Sequence, residues 1–256
     1  MKTLIQAELI SVEYDGEYAL RDVSLEIEEG DFISILGPNG SGKTTLIRAL
    51  LGLVGVAEGV VRFLDRPVTA FRPRELAMKV SFLPQNPPDT LPFLVRDIVM
   101  MGRFPYLGRF EVERAGDVEA VEHAMDIMGV GHLARRHLTE LSGGEVKRVY
   151  IAQAVAQESD ILFFDEPTAS LDINYQVEIF KMLETFNEKM HKTVVLVTHD
   201  INHAARYAKR ILLLKEGAVA HEGNAEEVLR GEELSRVFNT PITVERDRNG
   251  KPYVVA

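Results

Sequence analysis

The chain has no cysteine among its 256 residues, which excludes disulfides, thiolate zinc sites, iron–sulfur ligation and a cysteine nucleophile. It has no surplus of positive charge either: 29 lysines and arginines face 39 aspartates and glutamates, for a net charge of −10. A nucleic-acid footprint carries a basic surplus, as does unaided adhesion to an anionic membrane, so neither partner is expected. Long apolar runs are missing as well. The longest, residues 49–57, contains two glycines and falls far short of the about 20 residues of a spanning helix. The opening Met1-Lys2-Thr3-Leu4-Ile5-Gln6 loses its apolar character within a few residues and does not read as a signal peptide. There is no internal repeat and no low-complexity segment. These absences lead us to expect a soluble, cytosolic chain; if it serves a membrane process, another chain supplies the membrane. What is present is a 46% hydrophobic composition, enough for one large α/β domain or a core plus a subdomain.

The pattern of apolar residues changes along the chain. Val23, Leu25 and Ile27 alternate with Ser24, Glu26 and Glu28, as in a strand with one buried face. Four later runs, 32–36, 80–83, 161–164 and 194–197, are short and almost continuously apolar, as are strands buried on both faces of a parallel sheet. Each is followed by polar residues: a glycine-rich loop, Gln85, Asp165-Glu166, and Thr198-His199-Asp200. Ligands of open α/β sheets bind beyond the carboxyl ends of the strands, so these groups are expected at one crevice. Between Gln85 and Asp160 prolines give way to a helical stripe of Val118, Val121, Met125 and Met128, with Gly129 as its stop. Glu216-Gly217 and Asn249-Gly250 each punctuate a hairpin. The expected fold is α/β: a phosphate-loop core (1–85 and 159–235) with a mostly parallel sheet and an N-terminal antiparallel β part. A helical subdomain (86–158) is inserted in that core, and 236–256 form a C-terminal extension.

Three segments carry the chemistry. Gly37-Pro38-Asn39-Gly40-Ser41-Gly42-Lys43-Thr44 fits G-x-x-x-x-G-K-[ST]. In that loop backbone N–H groups wrap phosphates, the lysine reaches the terminal ones and the threonine holds Mg2+. Thr45 continues into a helix whose N-terminus suits an anion. Leu141-Ser142-Gly143-Gly144-Glu145 contains a Ser-x-x-Glu capping box. A capping box does not require two consecutive glycines, which begin a helix poorly; bare amides and a hydroxyl there make a second phosphate-binding surface. The third segment is the apolar run ending in Asp165-Glu166.

On these three segments the chain resembles the ATP-hydrolysing subunit of an ATP-binding-cassette (ABC) transporter, over essentially its whole length. The resemblance implies ATP and Mg2+ as cofactors. It implies that Gly37, Pro38, Asn39, Gly40, Ser41, Gly42, Lys43, Thr44 and Thr45 bind ATP, with Lys43 also catalytic. Thr44, Gln85 and Asp165 are expected to hold the metal, and Glu166 to orient and deprotonate the attacking water. His199 reads alternatively as a strand-end histidine or as half of a zinc pair with His203; resemblance makes it a switch that contacts the γ-phosphate and Glu166. Tyr14 is the expected adenine-stacking aromatic, with Tyr18 as the alternative. One phosphate loop and one signature per chain imply a head-to-tail dimer in which Ser142, Gly143, Gly144 and Asp172 (within Ser170-Leu171-Asp172) act on the partner's nucleotide. Glu145 stands where glutamine is commoner, and Val146-Lys147-Arg148 departs from the commoner Arg-Gln-Arg.

Gly102-Arg103-Phe104-Pro105, 171–176 and 199–208 look like the importers of iron–siderophores, haem and cobalamin. That branch implies an integral membrane permease as partner, a substrate-binding protein indirectly, and a place on the cytoplasmic face of the membrane. A soluble ABC ATPase of iron–sulfur assembly is the alternative; a small-molecule phosphate-loop kinase leaves the segment 141–145 unexplained. Met100, Met101, Phe104 and Tyr106 are either subdomain core or the lining of a groove for the permease. His123, His132, His137, His191 and His221 read as solvated.

Overall fold

The computed structural model describes residues 2–108, 111–169 and 171–255. In chain order it contains β1 (Thr3–Tyr14), β2 (Glu17–Glu28), β3 (Phe32–Leu36), α1 (Lys43–Leu50), β4 (Glu58–Phe63), β5 (Arg66–Pro67) and α2 (Pro73–Ala77). There follow β6 (Val80–Leu83), α3 (Val95–Met100), α4 (Ala115–Ile127), α5 (Gly143–Ala156), β7 (Ile161–Asp165) and α6 (Ile173–Glu188). The chain continues through β8 (Thr193–Val197), α7 (Ile201–Tyr207), β9 (Arg210–Lys215) and β10 (Ala218–Gly223). It ends with α8 (Ala225–Val228), α9 (Gly231–Phe238), β11 (Thr243–Arg246) and β12 (Pro252–Val255).

Two compact units result, Met1–Phe71 with Phe180–Ala256, and Arg72–Ile179. In the first, β1 pairs antiparallel with β2 and β4. This is the expected antiparallel part, with Val23, Leu25 and Ile27 buried. β3 pairs in parallel with β8 and β9, and β10 returns antiparallel on β9. Every residue of β3 and β8 is buried, the physical reason for their unbroken apolar runs. Behind this sheet, Leu36, Ile211 and Leu213 pack with Ala204, Val228, Leu234 and Val237, joining α7, α8 and α9 to the core.

In the second unit β6 and β7 pair in parallel, and α3, α4 and α5 supply the helical part. Helix α4 buries Val121 and Met125, and Met128 just beyond it. Its end closes as predicted: Gly129 takes φ 64°, with Gly129 N–H donating to Asp126 O and Val130 N–H to Met125 O, a Schellman motif. Parallel pairs thus occur in both units, and the α/β class with a mostly parallel sheet is as expected. One turn differs in detail. Asn249-Gly250 lies in a longer loop closed by Asp247, whose N–H donates to Lys251 O and whose carboxylate accepts from the N–H groups of Asn249 and Lys251.

Candidate functional site

The loop after β3 is shaped by two glycines. Gly37 runs at φ 153°, and a Cβ there would fall 2.2 Å from Leu214 O. Gly42, the residue capping α1, runs at φ 97°, and a Cβ would fall 2.6 Å from Ala19 O. Only glycine fits either place. Because the cap is a glycine, it offers no side-chain acceptor to the first turn of α1, and a helix N-terminus suits an anion. Lys43 folds back across the loop, its ammonium donating to Gly37 O and Pro38 O at 2.9 Å each. It is only 6% exposed. Thr44 and Thr45 continue as the first turn of the helix.

Two further candidates belong to the same unit. Tyr14 ends β1 and is 45% exposed, while Tyr18 opens β2 under the Arg21 guanidinium. His199 lies exposed just past β8. The next residue, Asp200, caps α7 by accepting from His203 N–H at 2.8 Å, and its other oxygen meets His203 Nδ1 at 2.5 Å. The His203 ring stacks on Phe180 at 4.5 Å. His203 is therefore engaged in positioning the turn that carries His199, which the spacing alone did not reveal. His221 is half-buried and 3.9 Å from Glu233, so it is not simply solvated; the other four histidines of that group are exposed.

In the second unit, Asp165 closes β7 at 1% exposure and Glu166 follows at 9%. Glu166 holds φ 50°, a left-handed conformation that non-glycine residues adopt at some cost and that clusters at functional sites. Its Oε2 accepts from Gln85 Nε2 at 2.6 Å. The backbone oxygen of Gln85 in turn accepts from Lys147 Nζ at 2.5 Å. Burial pushes the Lys147 ammonium below its usual range, against the opposing pull of Glu166 and Asp165.

The segment 142–145 forms the capping box in full. Ser142 N–H and Ser142 Oγ donate to Glu145 Oε2 at 2.8 and 2.7 Å, and Glu145 N–H donates to Ser142 Oγ at 3.4 Å. The bond from Ser142 N–H is the main reason the Glu145 carboxyl sits below its ordinary range. Ser142 and Gly143 are exposed. Gly144 is buried under the Tyr175 ring, which also lies beneath the Arg148 guanidinium. Arg148 is ion-paired with Glu178. Asp172, exposed, precedes α6; Ser170 lies outside the described residues.

The four residues considered together at 100–106 divide. Met100 is core, at 5% exposure, and Met101 is half-buried, whereas Phe104 is 59% exposed. Tyr106 is anchored by its hydroxyl to Gln157 O and lies under Arg103.

The chain has a glycine-capped helix with a folded-back lysine and, at a second helix start, exposed Ser142 and Gly143, and the family model for the ABC transporter matches it over residues 20–169. The chain belongs to the ABC transporter family. This ABC cassette is 34% identical over 252 residues to the ferric enterobactin transport ATP-binding protein FepC of Escherichia coli (strain K12), covering 98% of the cassette and 93% of that protein. It is 35% identical over 253 residues to the uncharacterized ABC transporter ATP-binding protein YvrA of Bacillus subtilis (strain 168), of which it spans 57%. Other relatives are named for hemin and for cobalamin import. Among solved structures, an inward-facing transporter assigned to the metal-chelate ABC type gives a TM-score of 0.86 at 28% identity, covering 100% of the cassette and 97% of that chain. Dimeric cassettes are among the similar structures. The ABC cassette described here binds ATP, and ATP hydrolysis is the activity of its class. Among its described residues no helix is long and apolar enough to cross a membrane.

Proposed function

We propose that this cassette energises a membrane importer of a chelated metal, an iron(III)–siderophore foremost, with haem and cobalamin as the neighbouring cargoes. The observation that carries this reading is full-length likeness: the match to FepC runs over 98% of the chain, including the C-terminal region beyond the family model. In this reading residues 37–45 wrap the phosphates, chiefly through the backbone N–H groups of 39–45, Lys43 meets their terminal charge and Tyr14 stacks on adenine. His199 contacts the γ-phosphate, and Glu166 aligns the attacking water and takes its proton. Phosphoryl transfer needs chiefly such positioning and charge stabilisation.

The chemistry of the donors fits Mg2+. Thr44 offers a hydroxyl and Asp165 a carboxylate. Gln85 gives its amide nitrogen to Glu166, which leaves its carbonyl oxygen for a cation. These are hard oxygen ligands. Mg2+ would neutralise charge developing between the phosphates.

Ser142, Gly143, Gly144 and Asp172 act on the nucleotide of a second copy, so that a head-to-tail dimer holds two composite sites. Closure follows ATP binding and hydrolysis resets it. We assign residues 86–158 to the helical subdomain that faces an integral permease, with exposed Phe104 on that face, and residues 1–85 and 159–235 to the ATPase core. A substrate-binding protein joins from the other side, which puts the cassette on the cytoplasmic face.

Co-purification from membranes of the native host tests the reading. A multi-span permease should accompany the wild-type chain, and iron-chelate uptake should fail with Glu166→Gln. Recovery with soluble iron–sulfur assembly proteins and no permease would favour the other class.

A further inference from the structure

Lys147 departs from the usual residue of its motif, and it sits where three functional segments meet. On α5 it lies one turn beyond Gly143, at the i+4 position of the same helix face. Both residues line a cavity of about 650 Å3 that is also lined by Gln85 and the proline-rich segment after it. The half-buried ammonium is aimed at the Gln85 carbonyl, 2.5 Å away. Gln85 is thereby held at both ends, its backbone by Lys147 and its side chain by Glu166. Asp165 and Glu166 attract the ammonium through space, but the bond it makes here goes to the backbone of the segment between them and the signature helix.

We propose that Lys147 is a positioning residue: it ties the signature helix to Gln85, and through Gln85 fixes the Glu166 carboxylate for hydrolysis. This rests on the functional reading above, in which Ser142 engages the partner's nucleotide and Glu166 works on the chain's own. A rigid tie from α5 to Glu166 would then make hydrolysis in one site depend on closure over the other. Glutamine, the commoner residue, is one bond shorter and carries no charge, so the charged tie is particular to the lysine.

The test is steady-state ATP hydrolysis by the full-length protein with Mg2+, alongside equilibrium binding of a fluorescent ATP analogue and thermal melting. Lys147→Met, which removes the donor, should lower kcat about tenfold, because small displacements of a catalytic group are expensive, while KM, nucleotide affinity and Tm stay near wild type. Lys147→Arg keeps charge and donors and should recover most of the rate. The decisive arm is the double variant. Gln85→Ala retains the carbonyl that Lys147 holds but severs the link to Glu166, so adding Lys147→Met to it should cost less than about a further twofold. A full additional loss in the double variant, an unchanged kcat in Lys147→Met, or failure of Lys147→Arg to recover rate would each overturn the proposal. Should Lys147→Met not fold, Lys147→Leu, which also lacks a donor, takes its place with the same expectations. Wild type and Glu166→Gln are run in parallel. If wild type does not hydrolyse ATP, or Glu166→Gln does so normally, the functional reading fails. If they behave as proposed and Lys147→Met is silent, only this inference fails.

Discussion

The two glycine-containing helix starts solve the same local problem in opposite ways. At α1 the cap is Gly42, which offers no side chain to the first turn, and Lys43 is folded onto the loop's own carbonyls. At α5 the cap is Ser142, which with Glu145 forms a reciprocal capping box that satisfies the amides of both residues. An uncapped helix start leaves N–H donors in want of an anion; a capped one is stable by itself. In the proposed reading the first is built around a ligand. The second can stand exposed and wait for one, at the surface of its own chain. That is what a surface that acts on a partner's nucleotide requires.

Lys43→Ala should break the comparison most severely. Each hydrogen bond from a charged donor contributes about 1.5–3 kcal/mol, so ATP affinity of the isolated chain should fall by about 10- to 100-fold or more, read by equilibrium binding. Ser142→Arg should leave that affinity within about twofold and yet abolish turnover, since losing one preorganised donor at a transition state costs about 10²–10³ in rate. Equal loss of binding in both variants would mean that the second helix start acts on its own chain's nucleotide.

The glycines sharpen the contrast through stability. Gly42→Ala combines a left-handed conformation, unfavourable by about 1–2 kcal/mol for an L side chain, with a 2.6 Å approach to a backbone oxygen. Its Tm should fall by about 4 °C or more, at about 2–4 °C per kcal/mol for a chain of this size. Gly143→Ala meets nothing within 4 Å and requires no unusual backbone angle. Its Tm should hold or rise slightly, because alanine favours helix by up to about 1 kcal/mol, while turnover drops if a phosphate must approach that backbone. A Gly143→Ala protein with full activity would reduce the second helix start to a cap.

The smallest effect is the pH dependence of that cap. The Glu145 carboxyl is held below its ordinary value, first by Ser142 N–H. A group depressed on folding contributes stability above its unfolded value of about 4.3, and loses it as pH falls through the lower folded value. Glu145→Gln should therefore flatten the acid limb of the melting curve below about pH 4.3 and change Tm little at pH 7. An unchanged acid limb would show that the carboxylate does not carry the cap.

Much of this was legible from residue order. The buried strands β3, β6, β7 and β8, the hairpin at Glu216-Gly217, the Schellman end of α4 and the Ser142 capping box all follow from patterns spanning a few residues. Side-chain period, turn geometry and capping are short-range effects, and so they leave short-range marks. The nucleotide loop is a pattern of the same kind. Tertiary structure alone decided the rest. Gln85 meets Glu166 across 81 residues and Lys147 across 62, and a pairing between distant residues has no local periodicity to betray it. The same holds for the stacking of His203 on Phe180. It holds too for the division between buried Met100 and exposed Phe104, two apolar residues whose exposure depends on what the folded chain places beside them.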